Sequence, residues 1–129
     1  KGVETVEEVE DPVEVASTMA RKYGLTIAIT GKRDIISDGK RVMAVDNGHA
    51  MLKTITGTGC MATTMIAAFA AVERDYLLAA TGGLVCYGLA AERAAARCEG
   101  PASFKTALLD EIYNLNTQVI QKGQKAHYL

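Results

Sequence analysis

Residues 54–62, TITGTGCMA, divide this chain into two kinds of sequence. Upstream, short β-branched runs alternate with turn residues. Downstream, apolar residues recur at helical spacing over most of the remaining chain. A chain that changes period in this way packs helices against a sheet. At the junction stand two glycines and a thiol. Gly57 and Gly59 let backbone approach a ligand closely and permit positive φ. A helix starting there presents unpaired N–H groups and about half a positive charge, which makes an anion site suited to phosphate. Gly57, Thr58, Gly59 and Cys60 are therefore the candidate anion-holding loop. A cysteine at such a helix start is expected to have a lowered thiol pKa. Gly57–Ala62 also fits G-x-G-x-x-A, a dinucleotide-binding pattern. That reading requires a following strand that ends in an acidic residue about 20 positions on. Glu73 and Asp75 lie near that interval but lead into a helical Ala/Gly pattern, so the dinucleotide reading ranks low.

The rest of the chain reads as follows. Asp11-Pro12 predicts a helix start, with Asp11 as cap, Pro12 at the first helical position and Glu14 at capping-box spacing. Ala16, Met19, Ala20 and Tyr23 recur on one face, and Gly24 ends the helix. LTIAIT, residues 25–30, is an apolar run between two glycines and predicts a buried, central strand. IIS and RVMAV flank Asp38-Gly39, a hairpin signal. HAMLKTI, 49–55, follows the Asn47-Gly48 turn and predicts another strand. Met61, Ala62, Met65, Ile66 and Phe69 form one helical stripe. A second, Ala- and Gly-rich helix is predicted from about Asp75 to Cys98, closely packed and broken by Gly100-Pro101. A third carries Phe104, Leu108, Ile112, Leu115 and Val119 on one face and ends near Gly123. The tail QKAHYL is expected to be loose. This order predicts an α/β or α+β fold with helices on a sheet. LTIAIT implies more sheet than the chain supplies, so part of that sheet is expected to lie elsewhere.

Composition narrows the classes. The 129 residues allow one domain, 49% of them are apolar, and the net charge is −1. There is no basic stripe to attract a phosphate backbone, so nucleic acid is not an expected partner. The acidic opening VETVEEVED reads as solvated surface. Cys60, Cys86 and Cys98 are odd in number and form no C-x-x-C pair, which argues against a disulfide framework and a zinc site and for a reducing cytoplasm. No metal ligands are assigned. No signal-peptide pattern is visible. Glu73, Arg74, Glu92 and Arg93 interrupt the longest apolar stretches, so no membrane span is expected. Cys86 and Cys98 read as small buried hydrophobes, and Tyr87, Met61 and Met65 as core. Asp38 and Asp34 read as turn residues, Lys32 and Lys53 as solvated charges, and His49 as a loop histidine.

TGTGC followed by MIAAFAAV, with ITGKRDIISDG, DNGHAMLK, YGLAAERAA and GPASF, resembles the hydroxyethylthiazole kinase family of the ribokinase-like group. The motifs fall in the family's order and run from KGVE to about Leu115. The resemblance implies an α/β fold, a three-layer α/β/α sandwich. It implies an enzyme that uses ATP and Mg²⁺ to phosphorylate the primary alcohol of 4-methyl-5-(2-hydroxyethyl)thiazole, for thiamine salvage, and that assembles as a homotrimer. Thr30, in ITG, is similar to a nucleotide-contacting threonine beside the ATP phosphates. Gly57 matches a glycine lining the thiazole site, and Gly57–Cys60 match the anion-hole loop. Cys60 stands where the wider group places an aspartate base. The family's chains are longer, and their segments for magnesium and for an ATP-contacting arginine precede KGVE. Residues 1–129 are therefore expected to be the C-terminal part of a single ribokinase-like domain, inactive alone. The alternative expectation is a non-catalytic module of the same fold that assembles with a separate N-terminal partner.

Overall fold

A computed structural model describes residues 9–129, so most of the acidic opening lies outside the described residues. Helix α1, Pro12–Tyr23, begins where capping chemistry places it: Asp11 Oδ1 accepts the Glu14 N–H at 3.2 Å. Glu14 does not reciprocate; its carboxylate accepts the Thr18 hydroxyl instead. Gly24 ends the helix in the left-handed region and donates its N–H to the Ala20 carbonyl.

Four antiparallel strands follow the order β1 (Ile27–Ile29), β2 (Asp34–Ser37), β3 (Val42–Val45) and β4 (Ala126–Tyr128). Asp38 builds the β2–β3 hairpin as predicted, with Oδ1 accepting the N–H groups of Lys40 and Arg41 at 2.9 and 2.7 Å. Strand alternation then makes the layers. Ile35 and Ala44 face α1, together with Ile27 and Ile29. Ile36, Met43 and Val45 point the other way and join the main core. The sheet therefore lies between α1 and a second helical layer, the predicted three-layer arrangement.

The second layer holds α2 (Thr58–Ala70), α3 (Tyr76–Ala95), α4 (Pro101–Asn114) and α5 (Thr117–Gly123). Leu77, Leu84, Ala90, Ala91 and Ala94 of α3 pack with Phe104 and Leu108 of α4. A Cβ at Gly83 would lie 2.9 Å from the Ile66 Cα, so the glycine is what lets α2 and α3 approach closely. Glu111 is buried on α4 and accepts from Arg93 of α3 and from Arg97 just beyond it, at 2.7 and 3.0 Å. Among the described residues no helix is long and apolar enough to cross a membrane.

LTIAIT forms β1, at the edge of the four described strands, with Ala28 exposed. Several expectations are corrected. HAMLKTI forms a 3₁₀ turn, Ala50–Thr54, not a strand. There His49 Nδ1 accepts the Met51 N–H at 3.1 Å and the Thr54 hydroxyl donates to the Met51 carbonyl at 2.7 Å, so local polar groups take bonds a sheet would need. The third helix divides between α4 and α5, because Asn116 accepts the Val119 N–H at 2.9 Å and restarts it. The second helix ends at Ala95, which leaves Cys98 half-buried beyond it.

The tail is also ordered, as strand β4 against β3. Its anchor is Asn47, which is 4% exposed. Asn47 Nδ2 donates to Glu92 Oε2 at 2.7 Å and to the Gly123 carbonyl at 2.9 Å, and Oδ1 accepts the Lys125 N–H at 2.8 Å. Gly88 sits directly against this residue; a Cβ there would lie 2.6 Å from the Asn47 carbonyl carbon.

Candidate functional site

Gly57 precedes α2 at φ 90°, a conformation that favours glycine, and no side chain caps the helix. The first bond back to the cap runs from the Met61 N–H to the Gly57 carbonyl at 3.0 Å. The N–H groups of the preceding turn are therefore free of that ladder. No atom lies within 4 Å of where a Cβ would stand on Gly57 or Gly59, so both glycines face open space. Cys60 is exposed beside them. The element before the loop is the 3₁₀ turn rather than a strand, and α2 leads into α3. The loop thus lacks the strand on both sides that a dinucleotide fingerprint requires.

This helix start opens into a cleft of about 1870 Å³ that it shares with Thr30 and Ala28. The cleft lies beside strand β1. Thr30 and Gly57–Cys60, separated by 27 positions in sequence, thus line one space. Lys32 and Lys53 are exposed on its walls. Arg33 is held away in a bidentate pair with Asp46, at 2.7 and 2.9 Å. His49 lines the cleft but spends Nδ1 on the 3₁₀ turn.

Two lining residues gain importance over their sequence readings. Asp34 is 8% exposed and accepts the Gly31 N–H at 2.9 Å, which fixes the loop after Thr30. Burial pushes its carboxyl up to about 6, the Gly31 bond opposes that rise, and the charge of Asp46 adds to it. The Gly31–Asp34 spacing is a turn signal, so the position was legible and the burial was not. Tyr87 is buried, as its core reading requires, yet it lines the cleft and its hydroxyl has no hydrogen-bond partner among the described residues. No sequence signal marks it. Cys86 behaves as a buried hydrophobe whose thiol burial pushes up. Among the described residues no three His, Cys, Asp or Glu side chains converge as a metal cage.

A sheet between helical layers, with an uncapped helix start open to a cleft, places this chain among ribokinase-like α/β proteins. More narrowly, it belongs to the hydroxyethylthiazole kinase family, whose family model matches residues 1–118. It is 61% identical over 125 residues to a hydroxyethylthiazole kinase of Roseiflexus sp. (strain RS-1), covering 97% of this chain and 46% of that protein. It is 55% identical over 129 residues to one from Desulforudis audaxviator, covering 100% and 47%. The solved structure of a hydroxyethylthiazole kinase protein from Pyrococcus horikoshii OT3 superposes with a TM-score of 0.87 at 40% identity, over 90% of this chain and 45% of that one. The chain spans about half the length of the curated relatives it matches.

Proposed function

We propose that the protein to which this chain belongs transfers the γ-phosphoryl of ATP to the primary alcohol of 4-methyl-5-(2-hydroxyethyl)thiazole, in thiamine salvage. The observation that carries the reading is the uncapped start of α2, Gly57–Cys60, open to the cleft that Thr30 also lines. Phosphoryl transfer asks mainly for positioning and charge stabilisation. Fixed backbone N–H groups supply the second at little reorganisation cost. Thr30 is assigned to the nucleotide beside its phosphates, Gly57 to the wall of the thiazole site, and Thr58, Gly59 and Cys60 with Gly57 to the anion hole. Cys60, exposed on the first turn, lies beside the accepting alcohol, as base or as orienting group. The open space around Gly57 and Gly59 fits close approach of a phosphate to backbone.

Mg²⁺ accompanies the nucleotide in this reading. The described residues offer no cage for it, so no step is assigned to it here. Residues 1–129 form one part of a single ribokinase-like domain, which assembles as a homotrimer in the cytoplasm. These last points rest on the resemblance and on the unpaired cysteines.

The test is a kinase assay of the full-length protein with the thiazole alcohol and ATP. Phosphate on that alcohol is the expected result; transfer to a different alcohol overturns the substrate assignment. In the same assay Cys60→Ala is expected to lower turnover by about 10²-fold, with a smaller effect on substrate binding. Unchanged turnover removes Cys60 from the chemistry.

A further inference from the structure

Residues 48–56 lead from β3 to the anion-holding loop, and a glycine at positive φ bounds them at each end. Gly48 stands at φ 143° and Gly57 at φ 90°. Glycine permits rotation at both points, so neither sets the direction of the segment by itself. Between them the 3₁₀ turn holds its own shape: His49 Nδ1 accepts the Met51 N–H, and the Thr54 hydroxyl donates to the Met51 carbonyl. Met51, Leu52 and Ile55 pack on the main core. Apolar burial is non-directional, so it fixes depth better than orientation. Directional bonds at the entry of the segment come from α3.

Gly88 and Glu92 lie one turn apart on the same face of α3. At Gly88 the helix backbone abuts Asn47, with no room for a Cβ. Glu92 reaches the same point with its carboxylate. Its Oε2 accepts Asn47 Nδ2 at 2.7 Å and the Gly48 N–H at 3.4 Å, and its Oε1 accepts the Lys125 ammonium. Bonds to an ionised acceptor are the strong ones. The same helix carries α2, through Gly83 against Ile66. One rigid element therefore fixes both the entry of residues 48–56 and the helix into which they run.

We infer that Glu92 is a positioning residue: its carboxylate, bonded to the Asn47 amide and the Gly48 N–H, sets the direction in which residues 48–56 deliver Gly57–Cys60 to the transferring phosphate. The inference rests on the kinase reading above and adds to it a residue remote from the reacting atoms. Backbone N–H groups aimed at developing charge act on turnover more than on ground-state binding, and small displacements there cost rate. The test is steady-state kinetics of the full-length protein with ATP and the thiazole alcohol, read beside melting temperatures. In Glu92→Ala, Asn47 keeps its bonds to Gly123 and Lys125, so the fold is expected to survive. We expect its kcat to fall about tenfold, with both KM values changed less than about threefold. Glu92→Gln keeps an acceptor for Asn47 and Gly48 but loses the Lys125 ion pair; its kcat should return to within about twofold of wild type. Unchanged kcat in Glu92→Ala, however far its melting temperature falls, overturns the inference and leaves Glu92 a purely structural group. A loss confined to KM, or a Glu92→Gln as slow as Glu92→Ala, overturns it as well. Should Glu92→Ala not fold, Glu92→Asp, which withdraws the acceptor by one methylene, replaces it: lowered kcat supports the inference and unchanged kcat overturns it. An active wild type with unaffected variants defeats this inference alone. A wild type that does not phosphorylate the alcohol defeats the kinase reading and this inference with it.

Discussion

The closely packed middle of α3 and the start of α2 use the same residue in opposite ways. Along α3, Gly83 and Gly88 are glycine because backbone from Ile66 and Asn47 occupies the place of a side chain. At the start of α2, Gly57 and Gly59 have nothing within 4 Å of that place. The costs divide in the same way. The packed side satisfies its polar groups, as Glu111 does. The cleft wall retains a positive φ at Gly57 and a buried carboxyl on Asp34. Structure that costs stability is what a binding wall is expected to accumulate.

The largest effect should come from the tightest backbone contact on α3. Gly88→Ala would force a Cβ within 2.6 Å of the Asn47 backbone, where no flexible side chain can yield. We expect a loss of about 3 kcal/mol or more in chemical denaturation. Near-native stability would break the contrast at its strongest point. On the cleft side the sign should reverse. Asp34 binds its proton more tightly folded than unfolded, so the stability it contributes is complete below about pH 4 and is lost as pH rises through about 6. Asp34→Asn keeps an acceptor for the Gly31 N–H and removes the charge. It should stabilise the protein at pH 7 by on the order of 2 kcal/mol and flatten that pH dependence, as read by urea melts between pH 4 and pH 7. A variant less stable than wild type at pH 7 would place a partner on that carboxylate. The smallest effects separate the two loop glycines. Gly57→Ala should cost about 1 kcal/mol, because φ 90° strains any side chain. Gly59→Ala should leave stability level or up to about 1 kcal/mol higher, since alanine is the better helix former, while phosphoryl transfer drops. Equal destabilisation by both would mean that the space at Gly59 is structural.

Local chemistry was legible wherever a side chain acts within a few residues of itself. The Asp11 cap, the Asp38 hairpin and the Asp75 start of α3 follow from short-range hydrogen bonding, and the start of α2 from the positive φ that Gly57 permits. The three layers were implied by the family resemblance, and Ile35 and Ile36, on opposite faces of β2, join the cores on either side of the sheet. What failed depends on distant neighbours. Nothing in QKAHYL announces that β3 awaits it. HAMLKTI has strand-like composition, but His49 and Thr54 turn it locally. In the candidate site, the loop and Thr30 were readable as motifs, and their meeting in one cleft is a tertiary fact. Tyr87 is buried as its core reading has it, and Asp34 holds its turn; the rise of the Asp34 carboxyl escaped because burial, not residue type, causes it.

A single amide side chain, on Asn47, grips the polypeptide on either side of residue 124. Residues 123–125 therefore act as a latch across the middle of the chain, and substitutions placed there would be felt at the start of the loop that leads to the cleft.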